Sequence, residues 1–218
     1  MTTGAELLHI IGLSLRVSVS ASLIALLLGA PVGAWLTITQ GRTRTAALLA
    51  FNVLLALPPV VLGLVLYMAF SRSGPLGFTE LLFTPAAMIV AQTLLTLPIV
   101  VVLVHRACTG PWEAYGEALR LDVPSRARQL RELLSMARAG LATAYLAAFG
   151  RAISEVGAVL IVGGNIRGQT RVMTTAITLE TSQGNFLFAS ALGGVLLALS
   201  LGVTLATYWL SRDAFVAR

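Results

Sequence analysis

The chain of 218 residues contains no lysine, and all 15 of its basic residues are arginine. A phosphate-binding loop ends in Lys followed by Ser or Thr, so this chain cannot by itself supply the nucleotide site of an ATPase. The single cysteine, Cys108, excludes an internal disulfide or a cysteine metal cluster and reads as a small buried or interfacial residue. The two histidines, His9 and His105, stand far apart with no flanking ligand pattern, so no metal site and no catalytic residue is predicted. Charge is scarce as well, at 11% of residues with 9 acids. What fills the sequence is apolar: 57% of residues are hydrophobic and the mean hydropathy is +0.88. A soluble domain of this size does not have that composition, and a polytopic membrane protein does.

A spanning helix needs about 20 mostly apolar residues. Charge-free stretches cover residues 17–41, 45–71, 81–105 and 181–211, and a fifth apolar stretch, 139–166, is interrupted only by Arg151 and Glu155. The expectation is an all-α polytopic membrane protein with five transmembrane helices in a single domain, residues 1–218. The first stretch has only Arg16 as a preceding basic residue and exceeds the roughly 7–15 residues of a signal core, so it reads as a retained helix. Residues 1–16 are expected to form a short interfacial helix with Leu7, Leu8, Ile11 and Leu15 on one face. Pro58, Pro59 and Pro98 fall inside the second and third helices, where each should kink its helix. In the fifth, Gly193, Gly194 and Gly202 are expected to mark close contacts.

The arginines are unevenly placed. Arg42 and Arg44 follow the first helix, Arg106, Arg120, Arg126, Arg128, Arg131 and Arg138 lie between the third and fourth, and Arg212 and Arg218 follow the fifth. These connections alternate onto one side, and the other side has Arg16, Arg72, Arg167 and Arg171. Because cytoplasmic loops keep the basic excess, the C-terminus is predicted cytoplasmic and the N-terminus outside. The formal charge of +6 then follows from topology and calls for no nucleic acid.

Residues 112–141, WEAYGEALRLDVPSRARQLRELLSMARAGL, form the largest polar region. Two helical patterns, 113–121 and 125–137, are separated by Asp122-Val123-Pro124, with Ser125 as a plausible N-cap. Leu130, Leu133 and Leu134 share a face of the second. Either a solvated amphipathic loop on the membrane surface or a docking element for a partner protein fits this pattern. Arg151 and Glu155 are one turn apart and can pair; ionised residues within a span are functional candidates. They could lock the fourth helix to a neighbour, or contact a passing solute. The small residues around them, from Ala139 to Ala158, would place that helix centrally.

The polar region resembles the cytoplasmic coupling segment of type I ABC importer permeases, whose pattern is Glu-Ala-Ala, three residues, Gly, then an apolar helix. The match is Glu117-Ala118-Leu119, or Glu117-Ala118 shifted by one, followed by Leu121-Asp122. Asp122 stands where the family has glycine, and Met136-Ala137-Arg138-Ala139 replaces its Leu-Pro. LALPPVVLGLVLYMAFSRSGPLG (55–77) and LTLPIVVVLVHRA (95–107) resemble helices of the molybdate and tungstate permeases, and GRAISEVGAVLIVGGNIRGQTRVMTTAITLE (150–180) resembles the tungstate type in particular.

The resemblance implies a permease subunit that dimerises with a second copy of itself in a prokaryotic cytoplasmic membrane, among membrane lipid. It implies an ATP-binding subunit, which would hold the ATP and Mg, and an extracytoplasmic oxyanion-binding protein; this chain would carry no cofactor. Tungstate is the implied cargo, with molybdate, sulfate or another solute as alternatives and an ion-coupled secondary transporter or an intramembrane enzyme as other classes. The coupling loop would be residues 108–138, with Glu113, Glu117, Ala118, Asp122, Arg126 and Arg128 in contact with the ATPase and Leu119, Leu121 and Leu130 as its apolar anchor. Arg151, Ser154, Glu155 and Gly157 are the implied pathway or gate residues. Outside, Asn165, Arg167, Gln169, Thr170 and Arg171 lie in a flexible, glycine-rich loop suited to a tetrahedral dianion or to docking the binding protein, followed by a short helical pattern at 173–180.

Overall fold

The computed structural model describes residues 4–123 and 125–216, the side chains only as far as 209. Pro124, the Arg212 side chain and Arg218 lie outside the described residues. Nine α-helices are described: α1 Gly4–Ile38, α2 Arg42–Leu55, α3 Pro59–Phe70, α4 Pro85–Asp122, α5 Arg126–Met136, α6 Arg138–Ile153, α7 Gly157–Gly163, α8 Met173–Ser182 and α9 Phe186–Val216. Among the described residues there is no strand. The all-α expectation holds.

Residues 1–16 do not form a separate interfacial helix. From Gly4 they are the beginning of α1, because nothing breaks the helix at Arg16 and its apolar face already has neighbours. Ile10 is buried, and Leu7, Ile11 and Leu15 pack against Phe149, Ile153, Met173 and Phe188, while Leu8 stays exposed.

The centre of the fold is the pair α1 and α4. Ala21 accepts a hydrogen bond from Thr93, and Thr37 contacts His105, so the two helices run parallel. Small residues let them approach: a Cβ on Gly33 would stand 2.7 Å from the Val101 carbonyl oxygen. At 1.5 Å per residue α4 is about 57 Å long, well beyond the roughly 30 Å of a bilayer core. It therefore absorbs the first polar pattern, 113–121, which is the end of α4 and not a helix of its own. Pro98 and Pro111 lie within α4 without ending it.

Parallel α1 and α4 require the chain to return between them. The expected second span does so in two pieces, α2 and α3, bent by 96° at Ala56–Pro58. Proline holds the preceding residue extended, and Pro58 has φ −64° and ψ 125°, so two successive prolines end the helix where a kink was expected. Pro59 then starts α3 at a position whose N–H has no helical partner anyway.

The apolar stretch 139–166, the expected fourth span, is also divided, into α6 and α7, at Ser154–Val156. Among the described residues three helices are long and apolar enough to cross a membrane alone, and counting the bent pairs α2–α3 and α5–α6, the latter at 77°, as single spans gives up to five. Because α5 carries Arg126, Arg128, Arg131 and Glu132 in 11 residues, α7 rather than α5 is the apolar continuation of α6. The halves α3 and α7 pack against each other: a Cβ on Gly63 would fall 2.8 Å from the Ala158 Cα. Gly193, Gly194 and Gly202 make no close contact within the chain, since a Cβ at each would meet nothing within 4 Å.

Candidate functional site

At the α6–α7 break the regular helical ladder is interrupted, and side chains bond backbone groups on either side of it. The Glu155 carboxylate accepts from the Ala158 N–H at 3.2 Å and from Arg151 Nη1 at 2.5 Å. Thr174 on α8 donates to the Glu155 carbonyl at 2.8 Å, and Gln92 on α4 donates to the Ala152 carbonyl at 2.8 Å. Glu155 thus places its carboxylate at the start of α7, where free N–H groups favour negative charge. It is 4% exposed, whereas the Arg151 side chain is 36% exposed, and Ser154 is exposed with its hydroxyl turned back to the Gly150 and Arg151 carbonyls. Gly157 packs on α3: its Cβ would stand 2.7 Å from Val60 Cγ2. Of the four predicted pathway residues, Arg151 and Ser154 face open space, and Glu155 and Gly157 hold the break together. Gln92 lies seven residues into α4, so the break sits about 10 Å below that helix end.

The break is tied to the end of the molecule where α1 begins. Ser14 accepts from the Met173 N–H at 2.8 Å, setting the first turn of α8 against α1. The loop before α8 is closed by its own bonds rather than free: buried Thr170 donates to the Gly163 carbonyl at 2.5 Å and accepts from the Ile166 N–H, and Asn165, at φ 50°, donates to the Thr175 carbonyl. Arg167 grips both carboxylate oxygens of Glu6, and Arg171 Nη1 lies 3.8 Å from the same group. These hydrogen bonds hold the Arg167 proton more tightly than usual. Of the five predicted loop residues, Gln169 alone is exposed with no side-chain hydrogen bond among the described residues. Glu6 escaped the sequence reading because its partner is 161 positions away.

At the opposite, arginine-rich end, α4 and α5 meet at a turn. Ser125 occupies the predicted N-cap position of α5, but its side chain makes no cap bond. Gln129 instead reaches the Val123 carbonyl at 2.7 Å and fixes the turn. Glu113, Glu117, Ala118, Asp122, Arg126 and Arg128 are all exposed there. The expected apolar anchor is divided: Leu121 is 80% exposed, whereas Leu119 is 7% exposed and Leu130 packs into the cluster of Val104, Cys108 and Leu133. Tyr115 and Met136, which the sequence reading left out, are exposed on either side of an open groove of about 900 Å³. That groove runs between α4 and the α5–α6 junction.

A further polar tie joins α1, α2 and α4. Thr37 Oγ1 lies 2.9 Å from His105 Nδ1, and Arg44 Nη2 lies 3.5 Å from His105 Nε2. With Arg44 donating to Nε2, the Nδ1–H donates to Thr37, whose hydroxyl passes on to the Gly33 carbonyl at 3.0 Å. His105 is therefore a satisfied packing residue. Among the described residues no group of three or more His, Cys, Asp or Glu could hold a metal.

Residues 18–216 match the family described as "Binding-protein-dependent transport system inner membrane component". The chain is 43% identical over 203 residues to the "Probable anion ABC transporter permease protein" of Haloferax volcanii, covering 90% of this chain and 87% of the relative. It is 39% identical over 207 residues to the "Tungstate uptake system permease protein TupB" of Peptoclostridium acidaminophilum, covering 94% and 90%. Identity to the "Molybdenum transport system permease protein ModB" of Azotobacter vinelandii is 31% over 211 residues, 91% of each chain.

Proposed function

Because the chain belongs to the family of inner membrane components of binding-protein-dependent transport systems, we propose that it is the permease of an ATP-driven importer whose cargo is tungstate. A permease of this family works with an ATP-binding subunit and a substrate-binding protein, and is not itself a catalyst. The observation that carries the reading is the match over nearly the whole chain, together with a helix, α4, that is far longer than a span and ends in an exposed polar turn. Tungstate rests on the tungstate permease relative, and molybdate is the next cargo to test.

In this reading the arginine-rich end is cytoplasmic, as is the C-terminus, and residues 1–218 form one transmembrane domain. The α4–α5 turn couples to the ATPase through Glu113, Glu117, Ala118, Asp122 and Arg128. Exposed Leu121, together with Tyr115 and Met136, which border the open groove, serves as its apolar contact in place of buried Leu119. Rigid movement of that turn when nucleotide sites close tilts α4 and, through Gln92, the α6–α7 break. Arg151 and Ser154 face the pathway, with Glu155 holding Arg151 in place. The loop with Gln169 and the Glu6-bound arginines faces the binding protein. Two copies form the channel; Leu187, Leu197 and Leu201, exposed on α9 beside the open glycines, meet the second copy or lipid.

The test is mass-spectrometric identification of what co-purifies with the tagged chain from its native membrane in mild detergent. A P-loop ATPase in equal amount, lost on combined substitution of Glu113, Glu117, Leu121 and Arg128, with hydrolysis stimulated by tungstate and its binding protein, is the expected result. Recovery of the chain alone, active in anion uptake without ATP, would overturn the reading.

A further inference from the structure

Next to the α4–α5 turn, on the side of the α1 terminus, lies a second cavity of about 550 Å³, within the size range of small-molecule sites. Its lining includes Arg120, Arg126, Trp112 and Gln129, closed by Thr39 and Gln40 beyond the end of α1. Among the described residues neither the Arg120 nor the Arg126 side chain has an ion-pair or hydrogen-bond partner, although Glu117 and Asp122 are exposed on the same helix end. The Arg120 guanidinium lies over the Trp112 ring, 5.1 Å from its centroid. Stacking occupies the flat face of a guanidinium and leaves the N–H edges to form a fork toward an oxyanion. Gln129 is nine-tenths buried, and its bond to the Val123 carbonyl anchors the turn that carries Arg126.

We propose that this cavity binds a tetrahedral oxyanion, held by the guanidinium N–H groups of Arg120 and Arg126, which both line it. Two sources share that chemistry. The cavity opens where the apolar run of α1 ends, and basic pockets on the cytoplasmic side of spanning helices bind anionic lipid headgroups through their phosphate. A free oxyanion in solution fits the same fork. The site is separate from the α6–α7 break, and its occupation does not depend on what drives transport. A bound anion would pin α1 to the α4–α5 turn and so set how freely that turn moves.

The experiment uses the full chain with whatever subunit co-purifies, delipidated in detergent and titrated calorimetrically with inorganic phosphate, tungstate, short-chain phosphatidylglycerol and short-chain phosphatidylcholine. Binding of at least one of the three anionic probes, weakened tenfold or more by Arg120→Gln with Arg126→Gln, is the expected result, with Arg72→Gln unchanged. Phosphate or tungstate binding without phosphatidylglycerol identifies a free anion, and phosphatidylglycerol alone identifies a headgroup. Arg120→Lys with Arg126→Lys keeps the charge and should restore part of the affinity, which separates lost recognition from lost folding. Equal binding of every probe by wild type and the glutamine pair, or no binding at all, overturns the proposal. So does loss of the ATPase subunit from the glutamine pair with anion affinity intact, which would make the cavity a protein contact.

Discussion

The two broken spans of this molecule are broken for different reasons. Between α2 and α3 the cause is covalent: consecutive prolines hold Pro58 extended, and α2 buries none of its residues. Between α6 and α7 there is no proline. There Glu155, Thr174 and Gln92 bond backbone groups at the break, and Arg151 holds the Glu155 carboxylate. The second halves, α3 and α7, then pack together through Gly63 and Gly157. A break made by proline survives changes in its neighbours, and one made by side chains is open to control by them.

The sharpest way to disturb this comparison is at the joint of the two halves. Gly63→Val places side-chain atoms where even a Cβ is 2.8 Å from the α7 backbone, so it should destabilise by about 3 kcal/mol and abolish transport. Thermal unfolding in detergent and uptake in vesicles check it. Glu155→Ala removes both the Arg151 partner and the acceptor for α7, at a cost of about 2 kcal/mol given the exposure of Arg151. Arg151→Ala combined with Glu155→Ala should cost less than the sum of the two single changes, and strict additivity would show that the pair does not interact. Thr174→Val keeps the shape and deletes one hydrogen bond across the break, so its effect should be about 1 kcal/mol. Pro58→Ala with Pro59→Ala should change stability by less than about 1 kcal/mol yet open the 96° bend. Spin labels on α2 and α3 would report the angle; if it stays near 96°, packing on α7 and not proline sets that bend.

The contrast also shows how much could be read locally. The Pro58-Pro59 pair announced a disturbance in the second span, though its size, a break instead of a kink, came from the extended backbone that one proline imposes on another. Arg151 and Glu155 were legible as a pair from their spacing. That they mark a helix end was not, because the stretch 139–166 has no proline and its small residues fit a continuous helix equally well. The groups that make the break, Gln92 and Thr174, come from α4 and α8. For the α4–α5 turn, its polar residues were visible, but the inward turn of Leu119 and the exposure of Leu121 depend on where α4 meets α5.

The sequence by itself determined that the chain is an all-α membrane protein without the lysine of a phosphate-binding loop, since hydropathy and residue content are sums over local composition. It also determined where arginine collects and where proline forbids a helix, because each follows from a residue and its immediate neighbours. Only the tertiary structure decided that α1 and α4 run parallel, that α4 continues through its polar end to Asp122, and that Glu6 takes up Arg167. Those outcomes depend on which surfaces meet, and contacts between residues as distant as Glu6 and Arg167 leave no periodic trace in the chain.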